Sequence, residues 1–133
     1  MRRLALLVTA VAVVGCGSTA PTAYSVVDSY LKALGEGNYA NACGLLDQSA
    51  RGSLHGPCQM VFARCLPNEA RASASDQTQQ LYANINLTTT GKTAVALVSG
   101  TAVARTVKRV TLADHGGNWR VTSPGEKLQR CRR

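Results

Sequence analysis

The spacing of apolar residues changes once along this chain, from a helical period before residue 67 to strict alternation after residue 80. In the first part, Ala23, Val26, Val27, Tyr30, Leu31 and Leu34 follow the i, i+3, i+4, i+7 rule of an amphipathic helix that Gly35 ends. Asn38 is placed to cap a second helix over Tyr39–Leu46, and Asp47 to Leu54 has room for one further turn. Pro57 suits the first position of a third helix, in which Cys58, Val61, Phe62, Cys65 and Leu66 share a face until Pro67. Residues 67–78 read as a loop. Beyond it, Leu81, Ala83, Ile85 and Leu87 alternate with Tyr82, Asn84 and Asn86, as in a half-buried strand. Thr93–Ser99 is apolar nearly throughout and reads as a central strand. A third strand is expected from about Ala102 to Leu112, with a β-bulge near Lys108-Arg109 where the apolar face changes. Asp114 to Asn118 forms a turn, and Trp119–Thr122 the last strand. Helices followed by an antiparallel meander define an α+β fold with helices on one face of the sheet.

The N-terminus carries a separate signal. Met1-Arg2-Arg3 precedes the apolar run Leu4 to Val14, which falls short of the roughly 20 residues that span a bilayer. Val13-Val14-Gly15-Cys16 resembles a bacterial lipobox rather than an ordinary cleavage site ending in small residues. The resemblance implies removal of residues 1–15, a diacylglycerol on Cys16, and a flexible tether over 16–22. Two acyl chains hold a domain at a membrane stably, where one does not. The expected location is therefore the outer face of a cell membrane. A plain cleaved signal is the alternative.

Cysteine usage agrees with export. Setting Cys16 aside leaves Cys43, Cys58, Cys65 and Cys131, an even set suited to two disulfides. Cys58 and Cys65 lie seven residues apart on one helix, about 10 Å along it, too far to pair with each other. Two connectivities remain, and Cys43–Cys58 with Cys65–Cys131 is preferred. The shorter loop would contribute about 3 kcal/mol and the longer about 4. A zinc site is the competing reading, but there is no Cys-x-x-Cys and both His lie in loops. No metal or cofactor is expected.

The 133 residues carry 15 basic and 7 acidic side chains, a net charge of +8. Losing Arg2 and Arg3 leaves 13 against 7, or +6, which favours anionic surfaces such as lipid head groups or teichoic-type polymers. Aromatic residues make up 5%, too few to build the stacking platform of a single-strand binder, so nucleic acid is excluded as a partner. Arg105, Arg109 and Arg120 are the candidates for a shallow basic patch on the sheet, and Lys127, Arg130, Arg132 and Arg133 make a basic tail, residues 124–133, pinned by Cys131.

Residues 23–123 resemble small secreted proteins and lipoproteins of actinobacteria in several phrases: VVDSYLKALGEGNYANACGLLD, then Ala50-Arg51 and Cys58, and the closing GGNWRV. Together with the element order, they look like the cystatin-like fold of the nuclear-transport-factor-2-like superfamily. The resemblance implies helices lying in the concave face of a curved, four-stranded antiparallel sheet. The fold hosts dehydratases, isomerases and cyclases as well as binding domains, so it assigns no activity. Its enzymes place Asp, His or Tyr inside the cone. Here no Asp or Glu occurs from Gln77 to Ala113, so the sheet brings no carboxylate base. Tyr30 is the one hydroxyl on the apolar face of the first helix, and it reads more simply as a core tyrosine. Tyr30, Phe62, Tyr82 and Trp119 are the expected pocket or core aromatics. The expectation is a non-catalytic binding or scaffolding module for a small apolar or amphipathic ligand or an envelope protein, able to dimerise through its sheet. The alternatives are a small isomerase- or dehydratase-type enzyme and an assembly protein with a filled cone.

Overall fold

The computed structural model describes residues 21–66 and 82–132. Cys16, the expected signal segment, the expected loop over 67–78 and the start of the first expected strand at Leu81 lie outside the described residues. Six helices and four strands follow one another as α1 (Ala23–Gly35), α2 (Tyr39–Gly44), α3 (Gln48–Gly52), α4 (Cys58–Cys65), β1 (Asn84–Thr90), β2 (Thr93–Ser99), α5 (Ala102–Val107), β3 (Arg109–His115), β4 (Asn118–Ser123) and α6 (Glu126–Arg130). The strands form an antiparallel meander in the order β1-β2-β3-β4. The protein is α+β.

Caps fix the helices where short polar side chains precede apolar runs. Thr22 Oγ1 accepts from the Ser25 N–H at 3.1 Å at the start of α1, Asn38 Oδ1 from Asn41 at 3.3 Å for α2, and Asp47 Oδ1 from Ala50 at 2.7 Å for α3. Each satisfies an N–H that the helix itself leaves unpaired. α1 buries Val26, Val27, Tyr30, Leu31 and Leu34, the stripe its spacing defines. The facing side of the sheet contributes Ala94, Ala96, Val98, Val110, Leu112 and Val121, all at most 6% exposed. The free edge of β4 is covered: Asp47 N–H donates to Val121 O, and Val121 N–H to Leu45 O, each at 2.9 Å.

Two disulfides staple the helices. Cys43–Cys58 joins α2 to α4, and Cys65–Cys131 joins the end of α4 to the residue after α6, with Cα atoms 6.0 Å apart in both. Among the described residues, no helix is long and apolar enough to cross a membrane.

Four features depart from the sequence expectation. First, β3 runs through Asp114 and His115, residues expected in a turn, so the sheet does carry a carboxylate and an imidazole at the end of that strand. Residues 102–107 form a helix rather than the beginning of a strand. Val103 and Val107 are spaced four apart because they face the core from one side of α5, and the change of face at Lys108 is a helix-to-strand joint, not a bulge. The actual register shift lies between Thr111 and Leu112, opposite β4. β2 is central yet not buried on both sides: its residues alternate, leaving Val95 and Leu97 36% and 50% exposed. Lastly, the basic tail pinned by Cys131 holds a helix that its sequence did not suggest. That helix is α6, whose Leu128 is fully buried, so the folded unit continues through Arg130.

Candidate functional site

The aromatic residues expected to line a pocket separate into two pairs. Tyr30 and Phe62 are fully buried, with ring centres 6.3 Å apart in an edge-on contact, and Tyr39 meets Phe62 at 6.2 Å. The Tyr30 hydroxyl donates to Pro124 O at 2.9 Å. Burial holds the Tyr30 phenol well above its ordinary pKa of 10.0, because the phenolate would lose its water. Tyr30 is thus a core residue with its one polar atom satisfied. Tyr82 and Trp119 lie elsewhere. Tyr82 is 68% exposed, with the Lys32 ammonium 5.4 Å from its ring centre. A hydrogen bond from Lys32 to Asp28 at 2.8 Å, reinforced by the carboxylate charge, raises the pKa of that ammonium. Trp119 is half-buried at the edge of the core.

The acid–base candidates are similarly occupied. Asp47 caps α3 through Oδ1, while its Oδ2 lies 3.3 Å from His115 Nε2 at the surface. The two come from positions 68 residues apart, and Tyr30 is not with them. His55 is exposed, and its carbonyl accepts from Arg64. No buried charged or polar side chain occurs among the described residues, nor any cluster of His, Cys, Asp or Glu placed to hold a metal.

The basic residues do converge, though not as the strand reading expected. α5 begins at Thr101, whose Oγ1 accepts from the Ala104 N–H at 3.0 Å, and it buries Val103, Ala104 and Val107. Its last bond runs from Lys108 N–H to Ala104 O at 2.8 Å, and the Lys108 carbonyl accepts from Val98 at 2.9 Å. Between these two bonds Lys108 takes φ 62° and ψ −46°, a backbone conformation that only glycine adopts without strain. That one residue swings the chain out of α5 and into β3.

Gly125 closes the other side. Its φ is 132°, and a Cβ there would sit 3.2 Å from Val107 Cγ1 and 3.4 Å from Val107 O. The missing side chain lets α6 abut the end of α5. An open groove of about 1220 Å³ results, with Leu97, Ala102, Val107 and the Cys65–Cys131 bridge among its lining. Arg105, Lys108 and Arg109 come from α5, β3 and the joint between them, and Lys127 and Arg130 from α6, with Glu126 as the only carboxylate of the lining among the described residues. Arg130 pairs with Glu126. The Arg105 guanidinium donates to Gly100 O at 3.2 Å. The exposed ammonium or guanidinium groups of Lys108, Arg109 and Lys127 have no hydrogen bond or ion pair among the described residues.

Arg120 is not part of this groove. It pairs with Ala113, four residues along β3 from Arg109, which is about 13 Å of strand. Its guanidinium donates to Gly44 O beside Leu45 and Trp119. Of the three residues expected to form a basic patch, Arg105 and Arg109 lie at this groove and Arg120 does not, while Lys127 and Arg130, expected in the tail, lie beside the first two. The signal for the groove was present in Thr101 followed by the Val103/Val107 spacing, which is a capped helical turn.

No family model matches the chain, and no match is found among curated proteins or solved structures.

Proposed function

We propose that this protein is an extracytoplasmic lipoprotein, anchored through Cys16 at the outer face of a cell membrane. Its domain, of nuclear-transport-factor-2-like, cystatin-like type, acts as a non-catalytic binding or scaffolding module that works through its surface. The observation that carries this reading is the filled interior. Tyr30 and Phe62 are fully buried against one another, and the Tyr30 phenol is spent on Pro124 O. General acid–base chemistry needs a titratable group within reach of a substrate, and a small apolar ligand needs a cavity. The interior offers neither at these residues. Two disulfides suit a small domain meant for an oxidising compartment.

The surface supplies the partner sites. Val95 and Leu97 are exposed on β2, and the cations of α5, β3 and α6 are gathered at one corner. An envelope component, a protein or a second copy of this chain, would meet the domain there.

Native mass spectrometry of the oxidised protein after exposure to an envelope extract tests both parts. The expected species carries two disulfides, the mass of a diacylglyceryl group at Cys16, and no small apolar adduct. An apolar adduct of defined mass overturns the surface reading. An unmodified Cys16 overturns the anchor.

A further inference from the structure

We propose that the groove between α5 and α6 is a binding site for a phosphate-rich polyanion, held by charge. The inference deepens the surface-binding reading and rests on it. Among the described residues, five cations line this groove against one carboxylate, and that carboxylate is already paired with Arg130. Gathering like charges works against folding unless a counter-charge is supplied. Elsewhere in the described chain Lys32 pairs with Asp28, Arg51, Arg64 and Arg120 donate to backbone carbonyls, and the side chains of Lys92 and Arg132 are unpaired. Lys108, Arg109 and Lys127 are left with no partner of the protein's own.

The neutral polar groups of the groove point to recognition by charge rather than by a hydrogen-bond pattern. The Thr106 hydroxyl donates to Ala102 O at 3.0 Å, and the Ser123 hydroxyl lies 3.3 Å from Gln129 Oε1. What remains free is cationic. A groove this open, with its charges spread over two elements, gains little from a single small anion in water and more from a ligand presenting several charges in series.

The lining also narrows the class of polymer. It contains no aromatic side chain. Single-stranded nucleic acids are held by stacking on aromatic rings, and protein partners by aromatic anchors at the centre of the interface. A chain of phosphates without bases requires only the cations.

The groove lies apart from the end of the domain that leads to the anchor. α1 starts where Pro21 and Ser25 lie beside Asn118 and Trp119. It then runs alongside β4, so that Tyr30 reaches Pro124 and Gly35 approaches Val103 of α5. The groove is thus displaced from the point where the chain enters the domain by one length of α1, about 20 Å. That is more than twice the Debye length of roughly 8 Å at physiological salt.

The test uses the protein as exported, oxidised and purified in detergent, with linear inorganic polyphosphate as the probe. Binding is expected at about 50 mM salt, falling steeply as salt rises because several ions are displaced together. Replacing Arg105, Arg109 and Lys127 together by Gln should weaken it about a hundredfold. Replacing Lys32, Arg64 and Lys92 by Gln removes the same charge from other surfaces and should cost only a few-fold. Equal losses in the two triple variants, or no binding by the unaltered protein, overturn the proposal. Should the groove triple variant misfold, Lys127→Gln alone, on the exposed side of α6, is expected to weaken binding about fivefold. No change there has the same overturning force. Equal affinity for poly-glutamate would replace the phosphate polymer by an acidic polypeptide. Binding only to phosphatidylglycerol vesicles would replace it by the membrane. Repeating the titration with Cys16→Ser separates the site from the anchor: loss of lipid with retained polyphosphate binding leaves the groove standing.

Discussion

The core under α1 and the corner between α5 and α6 treat polar groups in opposite ways. Under α1 the Tyr30 hydroxyl is donated to a carbonyl, and among the described residues no buried side-chain nitrogen or oxygen is left without a partner. At the corner, three cations face solvent unpaired, and the backbone of Lys108 is held in a conformation unfavourable for its side chain. A buried polar group must be satisfied internally because it cannot reach water, whereas an exposed cation can wait for a partner. The contrast separates the part of the molecule that holds the fold from the part that can meet something else.

The bridge beneath the corner is where the contrast can be broken most severely. Replacing Cys65 and Cys131 together by Ser releases a loop of 66 residues and is expected to cost about 4 kcal/mol. Denaturant unfolding reads the loss. α6, fixed otherwise by Leu128 and Gly125, should then exchange its amide protons faster than α1. If α6 stays as protected as α1, the bridge is not what holds that side of the groove.

The interior should respond next. Tyr30→Phe leaves Pro124 O without its donor and is expected to destabilise by about 1–3 kcal/mol, measured as a shift in the denaturation midpoint. A neutral effect would place water or another donor at that carbonyl. The same residue sets an alkaline limit. Its folded pKa is raised above the unfolded value near 10, so the neutral phenol is the form the fold prefers. This contribution is fully present below about pH 10 and is lost as pH rises beyond it. Tyr30 should therefore ionise only as the protein unfolds, and tyrosinate absorbance from it should rise together with the loss of near-ultraviolet circular dichroism. Ionisation of all the tyrosines well before that loss would mean the interior is open to water.

The interior was far more legible in the sequence than the corner. The stripe from Ala23 to Leu34 spans more than three turns, long enough for a period of 3.6 to be distinguished from one of 2. Cys43, Cys58, Cys65 and Cys131 needed only their number and spacing to suggest two bridges. α5 has six residues and α6 five, too few for periodicity to decide, and Val103, Thr106 and Val107 are β-branched residues that read as strand. Tertiary packing on the core overrides that preference. The positive φ at Lys108 had no marker, since such positions are usually sought at glycine. Arg105 and Arg109 could be seen as a pair on any reading. Bringing Lys127 and Arg130 beside them required the Cys65–Cys131 bridge and the bare Cα of Gly125, both facts of the third dimension.

Lys108 offers the smallest effect and the sharpest form of the comparison. In Lys108→Gly the residue can hold φ 62° without a side-chain clash, which relieves about 1–2 kcal/mol of strain. Glycine returns part of that through the greater freedom of the unfolded chain, roughly 0.5–1 kcal/mol. Removing one of several crowded positive charges adds in the stabilising direction. The net expectation is a gain of up to about 1 kcal/mol, seen as a rise of a few degrees in Tm. Polyphosphate binding should weaken about fivefold at the same time, because one cation is gone. A lysine kept only for structure would give the opposite pattern, with stability lost and binding unchanged. Should the variant lose stability, the two backbone hydrogen bonds of Lys108 cannot by themselves hold the joint, and the side chain must be bracing it. Should it gain stability and bind as well as before, the unpaired charge at Lys108 lies outside the path of the ligand, and the groove must be read from Arg109 and Lys127 instead.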